Sequence, residues 1–340
     1  MNTSLRQAHG SGLPAHHVNE NASRQDPDVP TTDAAPTTAA LDEASGTVLD
    51  PIGRDAGATD GQPQRRPSAA QLFALGRRAS WTLVLAIAVI ATAVLWAVAP
   101  WLFTSYDPVA GVPADKLLPP SPEHWFGTDA IGRDLHARVV YGAVHSLSGA
   151  LIAVTVGLAA GTLIGVLAGS VGGWIDDVLM RLVDVLLSIP GLLLMLSVII
   201  LLGFGTINAA IAVGVVSVAS FARLSRSEVV RVRRTDYVEA AFGSGGTFAS
   251  VLRRHVLPNS LNAVIGLAAL QFGSAILAIS TLGFLGYGAP PPTPEWGLLI
   301  AEGRNYVATA WWLTTLPGLV VLVVVLSANR ISQSVGRSTR

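Results

Sequence analysis

Two stretches of the chain concentrate residues that could do chemistry, and neither has the make-up of a catalytic centre. The first, Ser225–Leu261, reads SRSEVVRVRRTDYVEAAFGSGGTFASVLRRHVLPNSL. Within it Glu239 is followed by Ala240 and Ala241, a carboxylate beside two small side chains that let a partner groove approach closely, on residues Tyr237 to Phe242 that suit a short helix. Gly243, Ser244, Gly245 and Gly246 end that helix and turn the chain, with Gly245 where a left-handed backbone is expected. A second helical stretch is expected over Thr247 to Val256, through His255; Leu257 then precedes Pro258, which suits the first turn of a further helix because a missing amide donor costs nothing there. The second stretch carries Gly127-Thr128-Asp129 and Gly132-Arg133-Asp134. Its chemistry is that of turns and caps: Asp and Thr accept from backbone N–H groups, and Arg133 can pair with either acid, which makes a scaffold a better reading than direct solute contact.

Catalytic alternatives are excluded by what is missing. The single Lys, Lys116, stands in PADKLL, whereas a phosphate-cradling loop needs Gly, four residues, Gly, Lys and then Ser or Thr, so this chain is not an ATPase. There is no His-Glu-x-x-His helix for zinc, no Gly-x-Ser-x-Gly elbow and no Cys. His9, His16 and His17 fall near the start of the chain, and His124, His136 and His145 fall where loop structure is a better role than metal binding. No metal site and no cofactor are expected on this chain, and its zero formal net charge gives no reason to expect nucleic acid.

The elements that must position these residues are membrane spans. Apolar residues make up 51% of the chain and charged ones 13%, about half the charged share of soluble domains, with mean hydropathy +0.51. Uncharged or nearly uncharged stretches at Trp81–Phe103, Ser146–Trp174, Met180–Phe204, Ile207–Leu224, Leu261–Tyr287 and Trp312–Ala328 give an all-α polytopic protein with about six transmembrane helices. Arg65, Arg66, Arg77 and Arg78 before the first span, the arginines from Arg223 to Arg254 between the fourth and fifth, and Arg330, Arg337 and Arg340 after the last share one side. By the positive-inside rule that side is cytoplasmic, with both termini on it. Trp101, Trp296, Trp311 and Trp312 are then placed as an outer aromatic belt. The organisation expected is a disordered cytoplasmic tail over 1–76, an N-terminal span over 77–104, an external segment over 105–145, a core of five spans over 146–331 that contains the cytoplasmic loop 226–260, and a short tail over 332–340. In the second span Gly157, Gly161, Gly165 and Gly169 recur every fourth residue and clear one helix face for close packing; Pro190 is expected to kink the third, and Asp184 is read as a membrane-interface carboxylate.

The order Glu239, Ala240, Ala241, three residues, Gly245, nine residues, His255, one residue, Leu257, Pro258 resembles the signature loop of ABC importer membrane subunits. His255 stands where that pattern is usually apolar but matches the Arg-His-apolar-Leu-Pro-Asn form of the peptide-importer branch, and Gly246 replaces a helix former, which loosens the turn. His124–Leu147 and Gly283–Leu319 are similar to segments of the C-type permeases of dipeptide, oligopeptide and nickel importers, while the C-terminal SANRISQSVGRSTR lacks the Gly-Asp-Gly-Leu-Arg-Asp usual there. The resemblance implies a type I importer permease fold with an extra N-terminal span, and a short coupling helix docking on an ATPase. It implies as partners a homologous B-type permease, two cytoplasmic ATP-binding subunits that hold ATP and Mg, and an external solute-binding protein. The solute implied is a peptide, with nickel or another chelated solute as the alternative. An ion-coupled secondary transporter is the rival from another class; it would carry ionisable residues at mid-membrane, whereas the acids here sit at span ends.

Overall fold

The computed structural model describes residues 69–338 and the side chains of residues 81–334. Residues 1–68, most of the expected tail, lie outside that range, as do the side chains of Arg77, Arg78 and Arg337 and the whole of Arg340. The described residues form α1 (Ala69–Val98), α2 (Leu135–Val171), α3 (Gly173–Ser188), α4 (Gly191–Leu202), α5 (Thr206–Arg233), α6 (Asp236–Gly243), α7 (Phe248–Val251), α8 (Leu257–Phe284), α9 (Trp296–Gly303) and α10 (Trp312–Ser338). Among them the one β-bridge joins Thr128 to Asp134. Helix α1 begins at Ala69, upstream of the boundary expected at 77, and α2 begins at Leu135, inside the stretch read as an external segment.

Among the described residues five helices are each long and apolar enough to cross a membrane: α1 from Trp81, α2, α5, the continuous helix Phe248–Phe284, and α10. The third expected span departs from expectation. Instead of one kinked helix over Met180–Phe204, α3 and α4 meet at 98°. Ile189, forced toward extended backbone by the following proline (φ −87°, ψ 130°), ends α3, and Pro190 becomes the N-cap of α4. At 12 residues α4 rises roughly 18 Å, too little to cross a bilayer core alone. Large apolar side chains such as Leu151, Leu163, Ile200, Leu201 and Leu326 point out of the bundle; hydrocarbon is the solvent in which such a surface is stable.

The centre of the bundle is the α2–α5 pair. Gly157, Gly161, Gly165 and Gly169 all face α5, and a Cβ on Gly161 would stand 2.5 Å from both the Val218 carbonyl oxygen and the Phe221 Cβ. Backbone therefore meets backbone along four turns of α2, the close packing that the glycine spacing predicts. Around this pair Phe221, Ile276, Ile279, Leu282, Trp296 and Leu299 form the buried core, which draws in α8 and α9. Trp296 and Trp312 correct the belt expectation: both are buried, their indole N–H groups donating to the Val139 and Thr128 carbonyls at 2.9 and 3.3 Å. Trp101 and Trp311 remain exposed. With 37 residues, α2 is roughly 55 Å long and carries the Gly127–Asp134 segment at its start and the Ser225–Leu261 loop beside its end, so the two chemically distinctive stretches lie at opposite ends of the bundle.

Candidate functional site

Glu239, Ala240 and Ala241 lie on α6, one residue longer at each end than the helix expected over Tyr237–Phe242. At its end the Ala240, Ala241 and Phe242 carbonyls are all hydrogen-bonded. Gly245, at φ +87°, donates to the Phe242 carbonyl at 3.0 Å, and Gly246 donates to the Ala241 carbonyl at 3.1 Å, the paired bonds of a Schellman ending. A Cβ on Gly245 would meet nothing within 4 Å, so backbone conformation alone demands glycine there. Gly246 is different: a Cβ would come 2.6 Å from the Ala241 oxygen and 2.9 Å from Val251 Cγ2. The expectation that Gly246 loosens this turn is therefore corrected, because the absent side chain lets the chain close against α6.

The loop is not a free appendage. Val238 on α6 packs with Val229 and Val232 of α5 and with Val251 and Val256 beyond the turn, a small core of its own. Leu252–Val256 forms one π-helical turn in which Leu257 N–H reaches the Leu252 carbonyl, so α7 and α8 run on as one helix past Pro258, whose missing donor the wider turn accommodates. His255 faces the Tyr237 ring at 6.5 Å, and its carbonyl accepts from Asn259 Nδ2 at 2.7 Å. The opposite face of the unit is open: Glu239 and Ala240 are exposed, and so are Tyr237, Phe242 and Phe248, at 40–47%. Glu239 makes no ion pair among the described residues. A carboxylate between small and aromatic side chains on a convex helix is suited to docking and to no bond-making chemistry.

Arginines tie this unit to the spans. Arg226 forks onto Asp176 of α3 through Nε and Nη2, both at 2.6 Å, the bidentate geometry that makes such a pair both strong and directional. Arg233 Nη1 donates to the Gly169 and Ser170 carbonyls at 2.8 and 2.6 Å, which caps the end of α2. Arg223 pairs with Asp184 at 2.7 Å, with both side chains exposed. Sequence reasoning assigns these arginines to topology alone; their carboxylate partners give no periodic signal.

At the other end, Thr128 Oγ1 hydrogen-bonds the Asp115 carbonyl and accepts from Leu118 N–H at 2.8 Å. Asp129 Oδ1 accepts from the backbone N–H groups of Ile131 and Arg133, each at 3.0 Å, while Oδ2 accepts from Arg133 Nε and Arg138 Nη1 at 2.6 and 2.9 Å. Burial pushes this carboxyl up, but the two amides and the guanidinium together hold it below its ordinary value. Gly127 and Gly132, at φ +75° and +83°, make the turns; a Cβ on Gly127 would stand 2.6 Å from the Leu118 carbonyl. Asp134 does not pair with Arg133. Its Oδ1 caps α2 by accepting from Ala137 N–H at 2.6 Å and its Oδ2 meets His124 Nδ1 at 2.8 Å, because capping turns the carboxylate away from the arginine. Arg133 instead spans Asp129 and Glu302 of α9.

Two further residues are missed by sequence reasoning. Arg138, fully buried, joins Asp129 to Glu302 at 2.9 and 2.5 Å. Glu295, also fully buried, caps α9 by accepting from Gly297 and Leu298 N–H at 3.0 and 3.3 Å; burial pushes its carboxyl up to about 7 against those two bonds. The helix-start position of Glu295 before Trp296 is a usable signal, its burial is not. Among the described residues no group of His, Cys, Asp and Glu is arranged to hold a metal.

Residues 161–340 match the family model described as binding-protein-dependent transport system inner membrane component. The chain is similar to a probable D,D-dipeptide transport system permease protein, DdpC, of Escherichia coli K12, at 39% identity over 79% of this chain and 90% of that one. It is 40% identical to the dipeptide transport system permease protein DppC of Alkalihalophilus pseudofirmus over 73% of this chain and 82% of that one. A third relative, the glutathione transport system permease protein GsiD of Pectobacterium atrosepticum, is 37% identical over 62% of this chain and 70% of its own length.

Proposed function

Because the chain belongs to the family of binding-protein-dependent transport system inner membrane components, we propose that it is the C-type permease subunit of an ATP-driven importer of short peptides. It is a multi-pass inner-membrane protein and a transport subunit, not an enzyme. The observation that carries the reading is the identity of 39–40% over 82–90% of the length of two dipeptide permeases. The relatives named above do not favour a chelated metal solute or an ion-coupled carrier.

In this reading α6 is the coupling helix. Its exposed face, Tyr237, Glu239, Ala240 and Phe242, docks in a groove of one of two cytoplasmic ATP-binding subunits, which hold the ATP and Mg. A push there passes through Val238 into the valine cluster and through Arg226–Asp176 and Arg233 into α3 and the end of α2. Since α2 and α5 touch backbone to backbone, they move together, and a path shared with a homologous B-type permease opens first outward and then inward. The Gly127–Asp134 end faces outward, toward an external solute-binding protein, and both chain termini face the cytoplasm.

The test is uptake of a labelled dipeptide by the reconstituted four-subunit transporter with its binding protein. Glu239→Lys, which reverses a charge on an exposed docking face, is expected to abolish uptake and weaken ATPase association while insertion stays normal. Full ATP-dependent uptake by that variant would remove Glu239 from the coupling face. Reporters after Arg340 and near Arg234 are expected inside and one near Lys116 outside; an external signal at Arg234 overturns the orientation.

A further inference from the structure

His136, in the first turn of α2, is 8% exposed and makes no hydrogen bond among the described residues. Its imidazole is held among the rings of Trp125, Phe126 and Trp96, at 5.1, 5.2 and 6.2 Å. Neither of its nitrogens is sealed off, whereas the indole nitrogen of Trp96 beside it is. The space left to them is a cavity of about 400 Å³ between the start of α2 and the chain that leaves α1, with His136 in its wall. A polar group fixed in such a wall with its hydrogen-bonding capacity unused marks a place for a ligand.

The rest of the wall defines the ligand's chemistry. Trp101, Phe103, Tyr106 and Trp125 supply aromatic rings, and the charged residues are Glu123 and Asp134, with no Lys or Arg among the lining. Asp134 is committed to His124 and to the α2 cap, but its charge remains in the wall. Glu123 is exposed and makes no ion pair among the described residues. Aromatic faces, two carboxylates and an imidazole acceptor are together complementary to an organic cation that carries N–H groups. Position in the fold gives its source. Helix α1 crosses the membrane from Trp81 to Val98, and the cavity is walled by residues that follow directly. Two of them, Trp101 and Leu102, are 66% and 71% exposed at the end of the span, where large side chains border acyl chains and headgroups together.

We propose that this cavity binds the headgroup of a phospholipid with a primary ammonium, phosphatidylethanolamine, from the leaflet at this end of the bundle. One ammonium N–H donates to a ring nitrogen of His136 and another to the Glu123 carboxylate, while the aromatic walls and Asp134 stabilise the charge. A trimethylammonium headgroup keeps the charge but has no N–H to give, and a glycerol headgroup has no cation. The site therefore separates three lipids that share the same acyl chains. Because its walls come from the chain after α1 and from the start of α2, a bound headgroup fastens the first span to the second. The inference depends on α1 crossing a membrane and not on which solute is carried.

The experiment titrates the complete transporter in detergent with dioleoyl phosphatidylethanolamine, phosphatidylcholine and phosphatidylglycerol, and counts bound lipid by native mass spectrometry. One phosphatidylethanolamine is expected to bind about tenfold or more tightly than either other lipid, the difference typical of a charged hydrogen bond. Glu123→Gln and His136→Phe are each expected to reduce that preference about tenfold and to leave the other two lipids unchanged. Glu123 is exposed and Phe keeps the ring packing of His136, so both variants fold. Trp125→Leu is expected to weaken both ammonium lipids and to spare phosphatidylglycerol. Equal binding of the three lipids, or a preference that survives either Glu123→Gln or His136→Phe, overturns the site. Soluble phosphoethanolamine that displaces the lipid at equal concentration assigns the cavity to a free amine and overturns the lipid source. Weaker docking of the external binding protein by Glu123→Gln, with lipid preference intact, assigns it to a basic protein side chain and overturns it as well.

Discussion

Replacing Glu295 by Gln is expected to make the protein more heat-stable in alkaline buffer and to leave it nearly unchanged in acid. The carboxyl is fully buried at the N-cap of α9, walled by Gly283 and Gly288, with two backbone N–H groups and, among the described residues, no cation against it. Its pKa is pushed from 4.5 to about 7. The folded form therefore binds this proton more tightly than the unfolded form. The stability that protonation gives is complete below pH 4.5, falls as pH rises toward about 7, and is gone above it. A tenfold change in proton affinity is worth about 1.4 kcal/mol, so ionising Glu295 in place costs about 3 kcal/mol. Glutamine keeps one oxygen, enough for the shorter capping bond from Gly297 N–H, gives up the longer one from Leu298 N–H, and cannot ionise. Thermal unfolding of wild type and Glu295→Gln in nanodiscs, followed from about pH 4.5 to about pH 8.5 so as to bracket both ends of the titration, is expected to show two curves that meet at the acid end and separate with rising pH. Other groups titrate in the same window, but they are common to both proteins, so the difference isolates Glu295. A constant difference at every pH, or a wild type more stable than the variant at the alkaline end, would refute the argument.

Gly161→Leu drives a side chain into Val218 and Phe221 and is expected to cost at least about 3 kcal/mol and to deplete folded protein in the membrane, whereas Gly266→Ala, where a Cβ meets nothing, is expected to be neutral or stabilising; expression and melting measurements separate them. Asp129→Ala leaves the buried Arg133 and Arg138 with Glu302 as their sole acid and is expected to destabilise by about 3–5 kcal/mol, read as a lowered melting temperature with no change in the protein's ability to bind ATPase subunits. Gly245→Ala is expected to cost about 1–2 kcal/mol through its left-handed backbone, and Gly246→Ala to do at least as much through contact with Ala241; if the α6 ending transmits force, both lower uptake more than they lower the amount of assembled transporter.

Much of the molecule is legible in the sequence because it depends on local rules. Hydropathy marks every segment that crosses the bundle, since hydrocarbon requires about 20 consecutive apolar residues in a helix that satisfies its own backbone. The four-residue glycine period gives the face of α2 that approaches another helix, and the run Gly243–Gly246 gives the end of α6, because a left-handed residue after a helix is a local demand on glycine. Features that escape such rules share a different cause. Pro190 announces a break but not its angle, which depends on what α3 and α4 pack against. Gly246 looks permissive in the sequence, which does not show that the Ala241 carbonyl and Val251 close over it.

Sequence alone thus determined the all-helical membrane architecture, the absence of catalytic motifs and the two stretches where function or scaffold is concentrated. Tertiary structure alone decided which charges meet. Arg138 and Glu302 are 164 residues apart, Arg226 and Asp176 are 50 apart, and Trp312 reaches back 184 residues to Thr128. Helix periodicity relates a residue to neighbours three and four positions away. It carries no information about a partner on another helix, so the pairing of buried charges, and with it the cavity beside Arg138, exists as a fact only once α2, α9 and α10 are packed together.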